Sequence, residues 1–213
     1  MFWAFPRLAL TVVSLATLAV FAAGGAAFAH QPNLVGTRTL VQVIEPEVSK
    51  AYYGEMIGRP VVYEIRAAAP FSLYVNILVP DLLGIRTDLV AEVLTDGEVL
   101  TVLDGRQFSW TEFHEPFAGD DYLMGPEYRS QVAAGTYTIR VSNGSNRGKY
   151  VLAVGEVEKF PPRVILRTLL DMPKLKKDFF EKSPWAALFT RVTFPLVAAM
   201  LIVIGIVVAL LLK

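Results

Sequence analysis

Alternation of apolar and polar residues in the middle of the chain constrains the fold more than any other feature. In the run PFSLYVNILVP, every second residue from Phe71 to Val79 is large and apolar, so these side chains share one face of an extended strand. The run LVAEVLTDGEVLTVLDGRQFSW places Asp96-Gly97 and Asp104-Gly105 between apolar segments, and Asp-Gly favours tight hairpin turns. This pattern predicts a three-stranded meander.

More short strands with turn residues between them surround this region. The runs TRTLVQVI and PVVYEIRA precede it, and AGTYTIRVSNGSNRGKYVLAV follows it with two strands that predict a hairpin. Tyr137 and Tyr150 each lead an alternating apolar face in that hairpin. About eight such strands predict an all-β fold, a jelly-roll-like antiparallel β-sandwich over residues 30–159.

The same runs resemble a known family. FSLYVNILVPD and AGTYTIRVSNGSNRGKYVLAV are similar to the central strand and the closing strands of the bacterial prepeptidase C-terminal domain, over about residues 60–156. That domain is a jelly-roll-like β-sandwich appended to secreted enzymes. The resemblance implies a non-catalytic accessory or binding domain, and it carries over no functional residues.

Both ends of the chain are strongly apolar, and hydrophobic residues make up 54% of the whole. Residues 1–29 contain an apolar run of about 16 residues, short for a membrane span, and end in Ala27-x-Ala29, which predicts a cleaved signal peptide; an uncleaved membrane helix is the alternative. Val192 to Leu212 is 21 residues without a charge, about 31 Å as a helix, which matches a bilayer core. We therefore expect a transmembrane helix over residues 187–213 with a one-residue cytoplasmic tail.

These ends predict a single-pass protein of the cell membrane whose bulk is extracytoplasmic, either periplasmic or extracellular. Residues 160–186 begin with a Pro-Pro pair and carry apolar strips among lysines, which predicts a juxtamembrane helical linker that lies on the membrane or docks on the sandwich. We expect the C-terminal helix to contact membrane lipid. Further expected partners are an envelope protein or a glycan, and a second copy in a weak homodimer through the small pair Gly205 and Ala209.

Charge and composition exclude several classes of function. Residues 30–170 carry 13 Lys or Arg and 17 Asp or Glu, so a nucleic-acid surface is not expected. The chain has no cysteine, which removes disulfides, thiol nucleophiles and thiolate metal sites. It also lacks the Gly-x-Ser-x-Gly, His-Glu-x-x-His and Gly-x-Gly-x-x-Gly motifs. We therefore expect no enzyme and no obligatory cofactor, with a metal-dependent activity as the enzymatic alternative.

A copper site is the alternative function. If cleavage follows Ala29, the α-amine and imidazole of His30, together with His114 and a carboxylate from Asp120 or Asp121, form a donor set suited to Cu(II). Periplasmic copper-carrier sandwiches and lytic polysaccharide monooxygenases are similar to this chain in the terminal histidine alone. Such a protein would carry or sense copper.

A Ca²⁺ site is a further metal hypothesis, in the run WTEFHEPFAGDDYLMGPEYR. Five carboxylates fall within 16 residues there, and Ca²⁺ takes six to eight oxygen ligands in irregular geometry. They are Glu112, Glu115, Asp120, Asp121 and Glu127. A solvated loop with turn residues at 119–121 is the alternative.

Overall fold

A computed structural model describes residues 30–191 and 193–211. Over these residues the chain forms eleven strands that pack as two sheets, so the β-sandwich is confirmed. The strands are β1 (Gln31–Gly36), β2 (Leu40–Val43), β3 (Lys50–Ile57), β4 (Val61–Ala67), β5 (Phe71–Pro80), β6 (Val90–Thr95), β7 (Glu98–Asp104), β8 (Thr111–Glu115), β9 (Asp120–Val132), β10 (Gly135–Ser142) and β11 (Arg147–Val154). The predicted signal peptide at residues 1–29 and the predicted tail residue Lys213 lie outside the described residues.

The two sheets are mixed rather than purely antiparallel. One has six strands in the order β1-β3-β11-β5-β9-β8, and the other has five in the order β2-β4-β10-β6-β7. The prediction of an antiparallel sandwich is wrong at one side, where β1 pairs with β3 and β2 pairs with β4 in parallel. Between β1 and β3 the chain leaves the six-stranded sheet and runs back through β2, so it returns in its original direction and a parallel pair results.

The predicted meander is right at its first turn and wrong at its second. Asp96 and Gly97 both have positive φ, 50° and 84°, and close the β6–β7 hairpin. Asp104 instead caps a short 3₁₀ helix, Gly105–Gln107, after which the chain crosses to β8 in the other sheet. Gly105 has no room for a side chain, because the Trp110 ring and the backbone carbonyl groups of Thr87 and Leu89 pack against it.

The two strands predicted to form a hairpin lie in different sheets. β10 runs between β4 and β6, whereas β11 runs between β3 and β5, so the loop over residues 143–146 arches from one sheet to the other. Their inward faces are as predicted, since Tyr137 and Tyr150 are both buried. The hydroxyl groups of Tyr150 and Tyr63 share a hydrogen bond of 2.8 Å that joins the two sheets inside the core.

The core lies between the sheets. The apolar residues predicted for the inner face of β5 are all buried, and they are Phe71, Leu73, Val75, Ile77 and Val79. The same layer continues through β4, β6, β10 and β11. Burial of this apolar surface is the main stabilising contribution to a domain that has no disulfide.

Helices follow the sandwich. The helix α1 (Pro162–Lys174) continues through a π-helical turn, Leu175–Phe179. A 3₁₀ helix (Pro184–Phe189) then precedes α2 (Thr193–Leu211), which begins later than the predicted start at residue 187. We call residues 160–191 the C-terminal segment.

Membrane crossing was predicted for the end of the chain. Among residues 30–191 and 193–211, none of the helices combines the length and the hydropathy of a membrane span. Val192 and the last two residues of the predicted span lie outside these ranges. The membrane span therefore stays a prediction.

The C-terminal segment packs on the outer face of the six-stranded sheet. Leu175, Phe179 and Phe180 form one buried cluster with Ala51, Tyr53, Leu78, Tyr122, Val151 and Ala153. The Phe179 ring meets Tyr53 edge to face at 5.0 Å between centroids, and Phe180 meets Tyr122 in the same way at 5.2 Å. The centre of this sheet is therefore buried on both faces.

Candidate functional site

Two charged residues are buried in the described chain, Asp120 and Lys176, and they meet at the turn between β8 and β9. Glu115 ends β8 and Asp120 begins β9. The Glu115 carboxylate accepts hydrogen bonds from the backbone N–H groups of Phe117 at 2.8 Å and Ala118 at 2.7 Å. Glu115 thus holds the turn through backbone hydrogen bonds, whereas the side-chain partners of Asp120 come from outside the turn.

Those partners are two lysines of the C-terminal segment. Lys176 Nζ lies 2.8 Å from Asp120 Oδ1, and Lys182 Nζ lies 3.1 Å from the same oxygen. The Asp120 and Lys176 side chains are 0% and 2% exposed, and that of Lys182 is 35% exposed. Both ammonium groups also donate to turn carbonyls, Lys176 to Ala118 and Lys182 to Gly119. We call Asp120, Lys176 and Lys182 the docking cluster.

The docking cluster lies in apolar surroundings. The two ammonium groups are 6.0 Å (Lys176) and 5.7 Å (Lys182) from the centre of the Phe180 ring, within the range of favourable cation–π contact. The second carboxylate oxygen of Asp120 is buried and has no hydrogen-bond partner among the described residues. The cluster is therefore held by charge more than by complete hydrogen bonding, and loss of one partner would leave the other charge buried and uncompensated.

The pKa values of neighbouring side chains are also shifted by the apolar surroundings. Burial raises the pKa of Glu115, although the backbone N–H groups of Ala118 and Phe117 oppose the shift. Burial also raises the pKa values of Tyr53 and Tyr122, whose hydroxyl groups share a hydrogen bond of 2.8 Å. Charges attract more strongly in such surroundings than in water, but burying them costs solvation, so the docking cluster acts chiefly by penalising the loss of either partner.

Three of the four residues predicted to bind metal lie at this turn. His114 on β8 faces Asp121 on β9, with 2.7 Å between Nδ1 and the nearer carboxylate oxygen. The hydrogen bond from His114 lowers the pKa of Asp121, and Lys182 lowers it further. The side chains of His114 and Asp121 are exposed, whereas the Asp120 side chain is buried and contacts Lys176. Asp120 and Asp121 are thus already paired with side chains of the protein.

His30, the fourth residue, lies elsewhere. It directly precedes β1 at one edge of the six-stranded sheet, and β8 with His114 forms the opposite edge. Five inter-strand steps of about 4.8 Å separate these edges by about 24 Å, so the structure does not bring the two histidines to one metal ion. His30 Nδ1 instead lies 2.5 Å from Ser49 Oγ, and burial lowers its pKa to about 4 against the opposing charge of Glu156.

The five carboxylates predicted for Ca²⁺ do not all lie together, although Glu115, Asp120 and Asp121 share the β8–β9 turn. Glu127 lies seven residues along β9 from Asp120, about 23 Å away at the rise of a strand, and accepts a hydrogen bond of 2.8 Å from the Tyr74 hydroxyl. No group of three or more His, Asp or Glu side chains in residues 30–191 and 193–211 is arranged to hold a metal ion. At Asp120, the positive charge expected from Ca²⁺ is supplied by Lys176 and Lys182.

Sequence reasoning missed these two lysines as site residues. The available signal was the apolar strip Leu175, Phe179 and Phe180 around them, which left docking on the sandwich open beside a position on the membrane. The structure places the strip against the sheet. Lys176 goes with it because it lies between two buried positions of the same π-helical turn.

Comparison with known proteins finds only weak structural similarity. No protein-family model and no curated protein matches the chain. The fold is similar to the pre-peptidase C-terminal domain of a collagenase from Bacillus anthracis, at 12% identity over 60% of this chain and 95% of that one, with a TM-score of 0.32. It is also similar to a β-glucosidase from Paenibacillus barengoltzii, at 10% identity over 59% of this chain and 13% of that one, with a TM-score of 0.26. The resemblance stated from the sequence is confirmed as a weak one.

Proposed function

We propose that the chain is a non-catalytic accessory or binding module, an extracytoplasmic β-sandwich that its C-terminal helix anchors to a membrane. The observation that carries the proposal is the docking cluster, in which Asp120 binds Lys176 and Lys182. The chain that leads from the sandwich to α2 is packed on the sandwich instead of forming a flexible tether. Such a connection suits a module that holds its sandwich in a fixed orientation towards a partner.

Two features support the membrane and the export. Residues 192–212 contain no charge, and α2 forms most of that run. The apolar run and the small residues of 1–29 are typical of a signal peptide, which would place the sandwich outside the cytoplasm in the periplasm or the extracellular space.

The proposal of a non-catalytic role rests on how the polar residues are used. The most acidic region of the chain is tied up by the docking cluster and by the exposed pair of His114 and Asp121. The outer face of the five-stranded sheet carries exposed Val99 and Val102 and is not covered by the C-terminal segment, which packs on the other sheet. We assign that face to a partner such as an envelope protein or a glycan.

Carbonate extraction of membranes tests the anchor. The full chain should stay in the membrane pellet at alkaline pH, and a variant that stops after Arg191 should be released in soluble form. The Asp120→Ala variant is the matched control, since it disturbs docking and leaves the apolar run intact, and it should stay in the pellet. Release of the full chain by carbonate would refute the anchor.

A further inference from the structure

Large apolar side chains are exposed along the C-terminal segment on the side away from the sheet. Leu170, Trp185 and Phe189 are 71%, 72% and 73% exposed, and Leu166 is exposed as well. Burial against the sandwich explains Leu175, Phe179 and Phe180 of the same segment, but it does not explain these four residues. Exposed aromatic and aliphatic side chains in a group mark a contact surface.

The exposed side of α1 is both apolar and basic. At 3.6 residues per turn, Leu166, Leu170, Arg163, Arg167 and Lys174 lie within an arc of about 100° of the helix, and the structure exposes all of them. Met172, on the opposite side, is buried. Leucines on such a face can enter a membrane interface, while the neighbouring arginine and lysine side chains extend their charged ends to the lipid headgroups.

The 3₁₀ helix joins this side of α1 to the start of α2. It packs against both helices, and Trp185 and Phe189 belong to it. Thr190 and Thr193 fix its junction with α2, because Thr193 N donates to Thr190 Oγ1 at 3.0 Å and Thr190 N donates to Thr193 Oγ1 at 3.3 Å. Both threonines are buried, so the exposed aromatic rings are held close to the beginning of the apolar helix.

Charge on the segment favours an anionic surface. Arg167 and Lys174 pair with Asp171 and Asp178 four residues later. Arg163, Lys177 and Arg191 are exposed and add further positive charge. Tryptophan is enriched at the level of the lipid headgroups, phenylalanine and leucine enter the apolar boundary below it, and basic side chains attract anionic lipids.

We propose that the exposed side of α1 and the 3₁₀ helix lies in the headgroup region of an anionic lipid bilayer. This surface rests on the proposed function, because α2 brings the segment to the membrane. The docking cluster and the lipid surface then lie on opposite sides of one segment. The sandwich is held against the bilayer through α1 instead of standing away from it.

Site-directed spin labelling of the full chain in vesicles tests the surface. The chain has no cysteine, so Leu170→Cys and Trp185→Cys each introduce a single labelling site. Vesicles of phosphatidylcholine and phosphatidylglycerol in a two-to-one ratio provide the anionic bilayer. Labels at 170 and 185 should collide several-fold less with a water-soluble nickel reagent, and more with oxygen, than a label at the exposed control position Val102→Cys.

A label at Ile204→Cys separates failure of the surface from failure of the anchor. Lipid contact at 204 with water contact at 170 and 185 would overturn the surface and leave the anchor intact. Water contact at 204 would overturn the anchor itself. Low access of both reagents at 170 would show a protein contact in place of lipid and would also overturn the surface.

A further variant tests the contribution of the basic side chains of α1 to lipid binding. Replacement of Arg163, Arg167 and Lys174 by glutamine should raise nickel access at position 170 in the anionic vesicles and leave it unchanged at 204. Unchanged access at 170 in this variant would contradict an anionic headgroup as the partner.

Discussion

The two sheets of the sandwich differ in what covers their outer faces. The outer face of the six-stranded sheet is packed under the C-terminal segment, whereas Val99 and Val102 on the outer face of the five-stranded sheet are exposed. The sequences of β10 and β11 explain why one outer face is covered and the other is exposed. In β10 the apolar residues alternate with Thr138 and Arg140, but in β11 the residues from 150 to 154 are all apolar and all buried. A strand that is apolar on both faces is covered on both faces.

The ion pairs on the two outer faces differ as well. On the covered face, the lysines meet a buried aspartate and select one position for the segment. On the uncovered face, Arg140 pairs with Glu92 at the surface, where ion pairs contribute little to stability. The same types of residue therefore act as a clamp on one face and as a solvated pair on the other.

The same substitution on both faces gives the largest expected contrast. Val151→Lys should lower the free energy of unfolding by more than about 4 kcal/mol, because it places an unpaired ammonium in the buried cluster with Phe179 and Phe180. Val102→Lys on the uncovered face should change it by less than about 0.5 kcal/mol. Urea denaturation measures both values, and similar losses in the two variants would contradict the difference between the faces.

Removal of the buried carboxylate tests the clamp. Asp120→Ala should cost about 3–4 kcal/mol, since it leaves Lys176 buried without a counter-charge. Glu92→Ala is the control on the uncovered face and should cost no more than about 1 kcal/mol.

Hydrogen exchange locates the effect of Asp120→Ala. The amides of Phe180 and Lys182 donate to backbone carbonyls in the docked segment and should lose protection before β11 does. Equal stability of the Asp120→Ala and Glu92→Ala variants would show that the cluster does not hold the segment.

Acid should lower the free energy of unfolding through His30, which lies beside the β1 edge of the six-stranded sheet. This effect is separate from the docking cluster. His30 has a folded pKa of about 4 against an ordinary value of 6.5. The unfolded chain therefore takes up a proton below pH 6.5 that the folded chain refuses until about pH 4. Stability from this group is complete above pH 6.5 and falls by up to about 3 kcal/mol as the pH drops to 4.

Urea denaturation at pH 7 and pH 4.5 measures this loss. His30→Gln should remove that part of the acid sensitivity and leave the rest, which comes from other groups. A pH dependence identical to that of the unchanged protein would contradict a partly buried His30 that stays neutral down to about pH 4.

The sequence predicted the inner faces of the strands better than their connections. Alternation correctly predicted Leu73, Val75 and Ile77 in the core, and the Asp-Gly dipeptide correctly predicted the hairpin turn at 96–97. Both patterns depend on residues that are neighbours in the chain. Asp104-Gly105 misled because close packing by the Trp110 ring and two backbone carbonyl groups, and not a hairpin turn, requires the glycine. Which strands pair depends on contacts between distant parts of the chain, which local patterns do not contain.

The candidate site shows the same division. The acidic concentration at the β8–β9 turn was visible in the sequence, but its counter-charges come from Lys176 and Lys182, more than fifty residues later. A carboxylate cluster predicts a need for positive charge and does not say whether a metal ion or lysines will meet it. Only the packing of Phe179 and Phe180 on the sheet brings the lysines to Asp120.

Two adjacent lysines provide the most direct measurement of the docked segment. Lys176 is buried and Lys177 is exposed, so amine acetylation of the native full chain followed by peptide mass spectrometry compares them within one molecule. Docking predicts rapid modification of Lys177 and almost none of Lys176 until the protein is unfolded. Modification of both lysines at similar rates in the native protein would contradict the docked C-terminal segment.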